Sequence, residues 1–420
     1  MFKRVREHLS LQSSPAAGAG HPAGLLAPEA GCNLFPFEEA SFLADPYPHY
    51  QRLRAQAPLY RSPHGYWVLA RYADVLEALG HERLGNRPSR FSTLHGSKAG
   101  RYPCANLAAN ILPFMDGPEH RAQRGALASL FQRRVRAWAP QLFAFVAEGL
   151  AALGEEFEVM GDFATPLARG ATRSLLGLPD EARLARWSDH FFYLFTKIPS
   201  ADLRGEIDSS LSEFRQWGQS LLLESGARGL LRDFQGAIQA GTLTEAVAID
   251  SLLLLYADGV QNVDTGIANA LHAFARAPEQ WQLLCADEQL LRPAVEECLR
   301  FDSPAQFVAR TVLEDFEWKG QLLKKDQSVF LLLASANRDE EQFEAPDEFR
   351  LERTRGMHLS FGKGRHACLG GNLFELELEA VLAALRKRVF TLQLSSPACW
   401  QARSGHRWIE SARFRITSRG

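Results

Sequence analysis

The sequence predicts a mainly α-helical protein with a small β region. Three observations predict it. Apolar residues recur at i, i+3, i+4 spacing through most of the chain after Pro118. Short aromatic and β-branched runs bounded by turn residues are confined to a few places, near Gly65–Ala70, between Arg310 and Leu333, and at the C-terminus. From Phe35 onward no linker is long enough to separate domains, although length alone gives a prior of about two or three. The 420 residues carry 47 Lys+Arg against 49 Asp+Glu, a net charge of -2, with 46% hydrophobic and 23% charged residues. That is ordinary for a soluble globular enzyme and lacks the basic excess of a nucleic-acid binder. The longest apolar run, Leu252–Ala257, has six residues, far below the ~20 of a membrane span, so a cytoplasmic protein without a membrane span is expected.

The elements follow in order. Residues 1–33 are expected to be a disordered tail, rich in Ala, Gly and Pro. Phe2, Val5 and Leu9 stand at helical spacing among basic residues there, the pattern of a surface anchor or transit segment. Residues 34–420 form the folded domain. Asp45-Pro46-Tyr47 reads as a turn, Gly65–Ala70 as a strand and Tyr72–Leu79 as a short amphipathic helix. Asn86–Asn110 has no stable period, and loops that long are usually functional or disordered. Helices are predicted over Pro118–Leu130, Pro140–Leu153, Glu181–Lys197, Leu203–Glu224 and Glu245–Ala275, with further starts at Pro278 and Pro293. Strands are predicted at Arg310–Leu313, Phe316–Trp318 and Ser328–Leu333, then a helix over Leu369–Val389 and a β C-terminus.

Six cysteines are too few for a disulfide framework, and no C-x-x-C or C-x-x-C-H motif occurs. Cys32, Cys104, Cys285, Cys298 and Cys399 read as inert residues. Cys368 differs, because it follows Phe361-Gly362-Lys363-Gly364-Arg365-His366-Ala367 and precedes a helical run. Glycines two apart permit a tight loop. A sulfur at a helix N-terminus meets unpaired amides and the positive dipole end, which lower a thiol's pKa and suit it to nucleophilic work or metal ligation. Gly370 leaves room for a flat object near the backbone, and Phe361 can cover the sulfur.

On Phe361 to Gly370 the sequence resembles the cytochrome P-450 superfamily of haem-thiolate monooxygenases, whose F-G-x-G-x-H/R-x-C-x-G pattern it matches at every fixed position. The resemblance implies one triangular α-rich domain, in place of the two or three suggested by length, with haem b as cofactor and Cys368 as the axial thiolate. Thiolate ligation favours O–O cleavage. The resemblance further implies a buried structural pair, Glu297 and Arg300, from the family's Glu-x-x-Arg. It implies propionate donors His120 and Arg124 (in Pro118-Glu119-His120-Arg121-Ala122-Gln123-Arg124), Arg310, His358 and His366. Asn337-Arg338-Asp339 also looks like a family turn. Where the family often has Pro-x-Arg-Phe, this chain has Pro346-Asp347-Glu348-Phe349, so the third partner of Glu297 passes to Arg350 or Arg353.

The long helix departs from the family. Its Ala/Gly-Gly-x-Asp/Glu-Thr-Thr motif aligns with Asp258-Gly259-Val260-Gln261-Asn262-Val263, replacing the acid by Gln261 and the alcohol by Asn262. A second register uses Asp264-Thr265, one turn later. Amides do not titrate near neutrality, yet they hold water and donate hydrogen bonds. Proton delivery to the distal oxygen then passes to a substrate hydroxyl or amine, or peroxide replaces O2, or the reaction is a coupling, ring closure or nitrogen chemistry. Gly259, Val263, Ala305 and Gln306 are expected to line the substrate pocket, and Phe191–Phe195 either roofs it or belongs to the core.

The expected partners are a small specialised-metabolite substrate and a separate ferredoxin or flavodoxin, unless peroxide serves. Arg133, Arg134, Arg136, Lys363 and Arg365 offer an acidic donor a basic face. The leading expectation is an oxidising haem enzyme. A haem-binding sensor or silent interaction protein on the same fold is the alternative.

Overall fold

The computed structural model describes residues 33–90, 92–195, 200–353 and 356–418. The expected tail, apart from residue 33, lies outside the described residues, as does Cys32. The helices that build the site, numbered in chain order, are α1 (Gly117–Ala151), α2 (Thr165–Leu176), α3 (Leu184–Phe192), α4 (Ala201–Leu223), α5 (Gly229–Gln239), α6 (Glu245–Arg276), α7 (Leu291–Phe301) and α8 (Gly371–Arg388). The strands used below are β1 (Leu59–Arg61), β2 (Trp67–Leu69), β3 (Leu84–Gly85), β4 (Glu156–Glu158), β5 (Val308–Val312), β6 (Ser328–Leu331), β7 (Val389–Leu394) and β8 (Arg413–Ser418).

Helix α6 is the axis of the molecule. It starts where Thr244 Oγ1 accepts the Val247 N–H at 3.3 Å, a cap worth ~1 kcal/mol. Its apolar residues run almost all round, so the helix is buried rather than amphipathic. It packs against α2, α3, α4, α5, α7 and α8. Gly266 allows the tightest of these approaches, because a Cβ there would lie 2.1 Å from the Phe374 ring of α8. Asp250, fully buried, is held by Arg215 of α4 at 2.5 and 2.7 Å and by Asn110 at 2.7 Å.

Helix α1 corrects the sequence reading. Pro118–Leu130 and Pro140–Leu153 are not two helices but parts of one, with Pro140 inside it. An interior proline costs ~3 kcal/mol by losing a rung and crowding the preceding turn. Trp138 and Leu142 on either side are buried in the main core, and each large side chain so buried contributes ~1.5–3 kcal/mol, which offsets the loss. Pro46 likewise opens a helix, Tyr47–Gln56, rather than a turn. The stretch read as aperiodic contains a short helix, Pro103–Ala108.

The β portion lies in small sheets. The largest has the order β1-β2-β6-β5-β3. In it β2 pairs parallel with β6 and the other neighbours are antiparallel. Strand β8 pairs with both β4 and β7, tying the C-terminus to the main core. No helix among the described residues is long and apolar enough to cross a membrane.

Candidate active site

Gly362 and Gly364 have φ of 64° and 74°, backbone that only glycine adopts readily. They turn the chain so that the Cys368 N–H donates to the Phe361 carbonyl at 2.8 Å. Helix α1 holds the same loop, through Arg124 Nη2 to the Ala367 carbonyl at 2.7 Å and Gln132 Nε2 to the Leu369 carbonyl at 3.2 Å. From behind, Ser360 Oγ donates to the Leu299 carbonyl of α7 at 2.7 Å, and Asn337 Oδ1 accepts the Leu359 N–H at 2.7 Å.

The Glu297 carboxylate anchors that support. Arg300 reaches it at 2.7 and 2.8 Å, Arg353 Nε at 2.9 and 3.0 Å, and the Arg350 N–H at 2.8 Å. Arg353 thus supplies the third side chain of the network where the chain departs from Pro-x-Arg-Phe. Arg300 also donates to the carbonyls of Asn337, Pro346 and Glu348. Both members of the pair are almost fully buried, a condition that requires such complete pairing.

The Cys368 sulfur is accessible, yet burial is the largest influence on it and pushes its thiol up to about 11. Exposed, yet surrounded by protein atoms, the sulfur opens onto a hollow, or chamber, within the protein. Backbone donation from Gly370 and Gly371 and the charge of Arg124 act in the lowering direction. They lose to burial and to the Asp258 carboxylate, which reverses the expectation that the helix start lowers this pKa. A thiol so placed is a poor free nucleophile and ionises when a metal takes its proton's place.

Beside the loop, donors converge with little to satisfy them. His120 is buried, and both its ring nitrogens are without a hydrogen-bond partner among the described residues. Its ring lies 4.2 Å from that of His366, and burial, aided by His366 and Arg124, pushes it down to about 4. Arg310, on β5, is buried and among the described residues donates only to the Ala309 carbonyl, and burial lowers it to about 10, still charged at neutrality. Asp116 is the carboxylate that meets this group, 3.0 Å from His366 Nε2. A cationic recess with orphaned donors beside an accessible sulfur fits a porphyrin that carries carboxylates and iron. His358 Nε2 lies 3.2 Å from Glu296 of α7, and its Nδ1 accepts the Ser360 N–H at 3.2 Å. Glu296, His358 and Glu375 bring ligand atoms within 4.8 Å of one another. Arg292 already pairs with both carboxylates, at 2.5 and 2.9 Å.

Across the chamber stands α6. Asp258 and Asn262, one turn apart, share a face, with Asn262 Nδ2 3.4 Å from Asp258 Oδ1. The charge of Asp258 acts on the Cys368 thiol, which puts the two groups within electrostatic range of each other. Gln261 turns elsewhere, donating to Asp189 at 2.7 Å and Ser188 at 3.1 Å on α3 and accepting from Arg403 at 3.4 Å. Asp264 turns to α2, where its carboxylate accepts Thr165 Oγ1 at 2.8 Å and burial pushes it up to about 6. Gln261, Asp264 and Thr265 line a separate cleft of about 210 Å³ behind the helix.

The expected pocket residues divide. Ala305 bridges to His406 of the C-terminal segment. Gln306 is buried and turned inward, Nε2 donating to the Ser303 carbonyl at 2.7 Å. Val263 belongs to the main core. Gly259 serves α2, since a Cβ there would meet Thr172 at 3.0 Å. Phe191 and Phe192 are core residues, and Phe192 packs edge-on against Trp408. Asp258, at the motif's first position, was given no role from the sequence, and its charge acts on Cys368. Of the basic face, Arg133, Arg136 and Lys363 are exposed. Arg134 is paired with Asp233, and Arg365 donates to the Gly80, His81 and Leu84 carbonyls.

Comparison with known proteins agrees with this geometry. A family model described as cytochrome P450 matches residues 240–395. The chain is 30% identical over 372 residues to the biotin biosynthesis cytochrome P450 of Bacillus subtilis, covering 85% of this chain and 92% of that protein. It is 30% identical over 360 residues to the 20-oxo-5-O-mycaminosyltylactone 23-monooxygenase of Streptomyces fradiae, covering 83% of each. The crystal structure of CalO2 superposes with a TM-score of 0.83 at 29% identity, covering 91% of this chain and 98% of that one. With its cysteine loop, its cationic recess and these relatives, the chain belongs to the cytochrome P450 family and is a haem-dependent oxidoreductase.

Proposed function

We propose that the protein oxidises a small specialised-metabolite substrate seated between Cys368 and the Asp258–Asn262 face of α6. In this reading Cys368 ligates the iron of haem b, and His120, Arg124, Arg310 and His366 hold its propionates. When bound, thiolate-ligated haem supplies the activation of O2 or peroxide. The chain's own residues do the rest. The Gly370 and Gly371 amides steady the sulfur's charge, and Phe361 covers the loop. Asn262 stands where the family has an alcohol, and its amide orients a hydrogen-bonding group without giving up a proton. Gln261 acts as a positioning residue that ties α6 to α3 through Ser188 and Asp189. Exposed Arg133, Arg136 and Lys363 suit an acidic electron donor such as a separate ferredoxin or flavodoxin. The names of the two curated relatives, in biotin biosynthesis and in oxidation of a tylactone derivative, support a biosynthetic substrate.

The observation that carries this reading is the accessible sulfur in the interior beneath α6. Cys368→Ser tests it. The reduced, carbon-monoxide-bound wild type is expected to show a red-shifted Soret band that the variant loses entirely. A variant with unchanged spectrum and turnover would overturn the assignment.

A further inference from the structure

The acid missing from the α6 motif has a counterpart on another helix. Gln261 stands where the family has Asp or Glu. Its Nε2 donates to Asp189 Oδ1 at 2.7 Å and to Ser188 Oγ at 3.1 Å, both on α3, and its Oε1 accepts from Arg403 Nη1 at 3.4 Å. A neutral amide thus joins a carboxylate to a guanidinium, each of its ends matched to the group it meets. An acid at position 261 would set two carboxylates at hydrogen-bond distance, where both cannot be ionised. The carboxylate stands on α3 instead of α6, and the amide is the residue type that accommodates it.

Little else of this kind holds α3 on α6. Among the described residues Gln261 makes the only side-chain hydrogen bonds between the two helices. The polar side chains of α3 otherwise turn to α4, with Arg186 and Trp187 donating to Glu213, and His190 Nδ1 2.7 Å from Ser210 Oγ. Helix α4 in turn is pinned to α6 by Arg215 on Asp250. Asp250 lies eleven residues before Gln261, about 16 Å along the helix. The α3–α4 pair is therefore fixed to α6 at one end by a buried ion pair and at the other by one amide.

Arg403 carries the tie to a third element. Its guanidinium lies 4.9 Å over the Trp408 ring and 5.9 Å over Phe192 of α3. The Arg403 carbonyl accepts the His406 N–H at 3.3 Å, closing a turn. The Gly405 carbonyl of that turn accepts the Gln306 N–H, and the Arg407 N–H after it donates to the Pro304 carbonyl, both at 2.9 Å, just before the strand that carries Arg310. Helix α3, helix α6 and the C-terminal turn thus meet at Gln261, next to Asn262. The same three elements line the cleft behind α6.

We propose that Asp189 is a positioning residue of the distal motif and that the Asp189–Gln261–Arg403 tie is a latch. The Arg215–Asp250 pair is the pivot of the α3–α4 pair on α6. Releasing Gln261 lets α3 lift from α6 and lets ligands exchange faster with the haem. The proposal rests on the assignment of Cys368 as the iron ligand and adds to that site the residues that close it.

The test uses the haem-loaded protein, with hydrogen exchange of the α3 amides and stopped-flow binding of imidazole to the iron as its two readouts. Gln261→Leu removes all three hydrogen bonds of the tie. It is expected to raise α3 exchange about fivefold or more and to speed both association and dissociation of imidazole several-fold. Gln261→Glu is expected to act in the same direction, through repulsion from Asp189. Adding Asp189→Asn to Gln261→Glu again sets an amide against a carboxylate, with the charge on the other helix. Both readouts are then expected to return to within about twofold of the wild type. A Gln261→Leu protein in which either readout keeps its wild-type value overturns the proposal. So does a double variant that is no slower than Gln261→Glu, since general damage to the fold is not repaired by a second substitution. The carbon-monoxide spectrum of the same wild-type sample reports on Cys368 separately. A thiolate band with unmoved readouts in the variants sinks this inference alone, whereas a missing band sinks the ligand assignment on which it rests.

Discussion

The floor and the roof of the chamber are built on different terms. Below, the Cys368 loop is held from three directions, by α1, by α7 and by its own glycine turns, and the Glu297–Arg300–Arg353 anchor behind it makes many hydrogen bonds. Above, the face of α6 carries an acid and an amide with one long hydrogen bond between them and one orphaned oxygen. The floor over-determines a geometry. The roof has far fewer hydrogen bonds to fix it. This contrast separates what a haem-thiolate protein needs in order to hold its group from what decides which reaction it performs.

The contrast breaks first at Glu297. Removing one member of a buried, fully paired ionic network leaves the others uncompensated, at ~3–5 kcal/mol. Glu297→Ala is expected to lower unfolding stability by that much, read by chemical denaturation, and to lower haem content. A loss below about 1 kcal/mol would show that the loop does not depend on this anchor.

A second difference lies under α6, at Glu377 of α8. It is buried with neither carboxylate oxygen partnered, and burial pushes it up to about 8. Its folded pKa lies above its unfolded value of ~4.3. Its contribution is therefore fully present below about pH 4 and is lost as pH rises toward 8, because the unfolded chain gives up the proton first. Relative to Glu377→Gln, the wild type is expected to lose on the order of a few kcal/mol across that window. Parallel stability profiles for the two proteins would remove Glu377 as the cause.

The smallest effect on stability, and the most specific on chemistry, belongs to the roof. Asn262→Thr is expected to change stability by less than about 1 kcal/mol, as for a substitution outside any buried network, and to leave the thiolate spectrum intact. The ratio of product formed to electrons consumed is expected to shift several-fold, since a hydroxyl replaces an amide beside Asp258. An unchanged ratio would mean that this face of α6 does not touch the reaction.

Much of the floor was legible from the chain alone. The glycine spacing around Lys363 dictated the turn, the cysteine's place before a helix dictated where the sulfur sits, and Glu297 and Arg300 lay three residues apart on one helix. These are local relations, governed by backbone angles and helical pitch, and they survive without knowledge of neighbours. The roof was not legible in this way. Successive residues of a helix point ~100° apart, so a shift of a single position decides whether Gln261, Asp258 or Asp264 looks at the sulfur. That rotation is set by what packs on α6, with Thr172 taking the side of Gly259 and Phe374 the side of Gly266.

The same division runs through the rest of the molecule. Sequence by itself determined the helical class, the family motif and the residues of the cysteine loop, because each is carried by spacing along the chain. Tertiary structure alone decided that Pro140 stays inside a helix, that His358 pairs with Glu296, that Arg353 completes the Glu297 network and that Gln261 ties α6 to α3. Each of those outcomes depends on which surfaces are buried against one another. Burial sets both the energy that tolerates a proline and the cost that makes an unpaired carboxylate seek a partner.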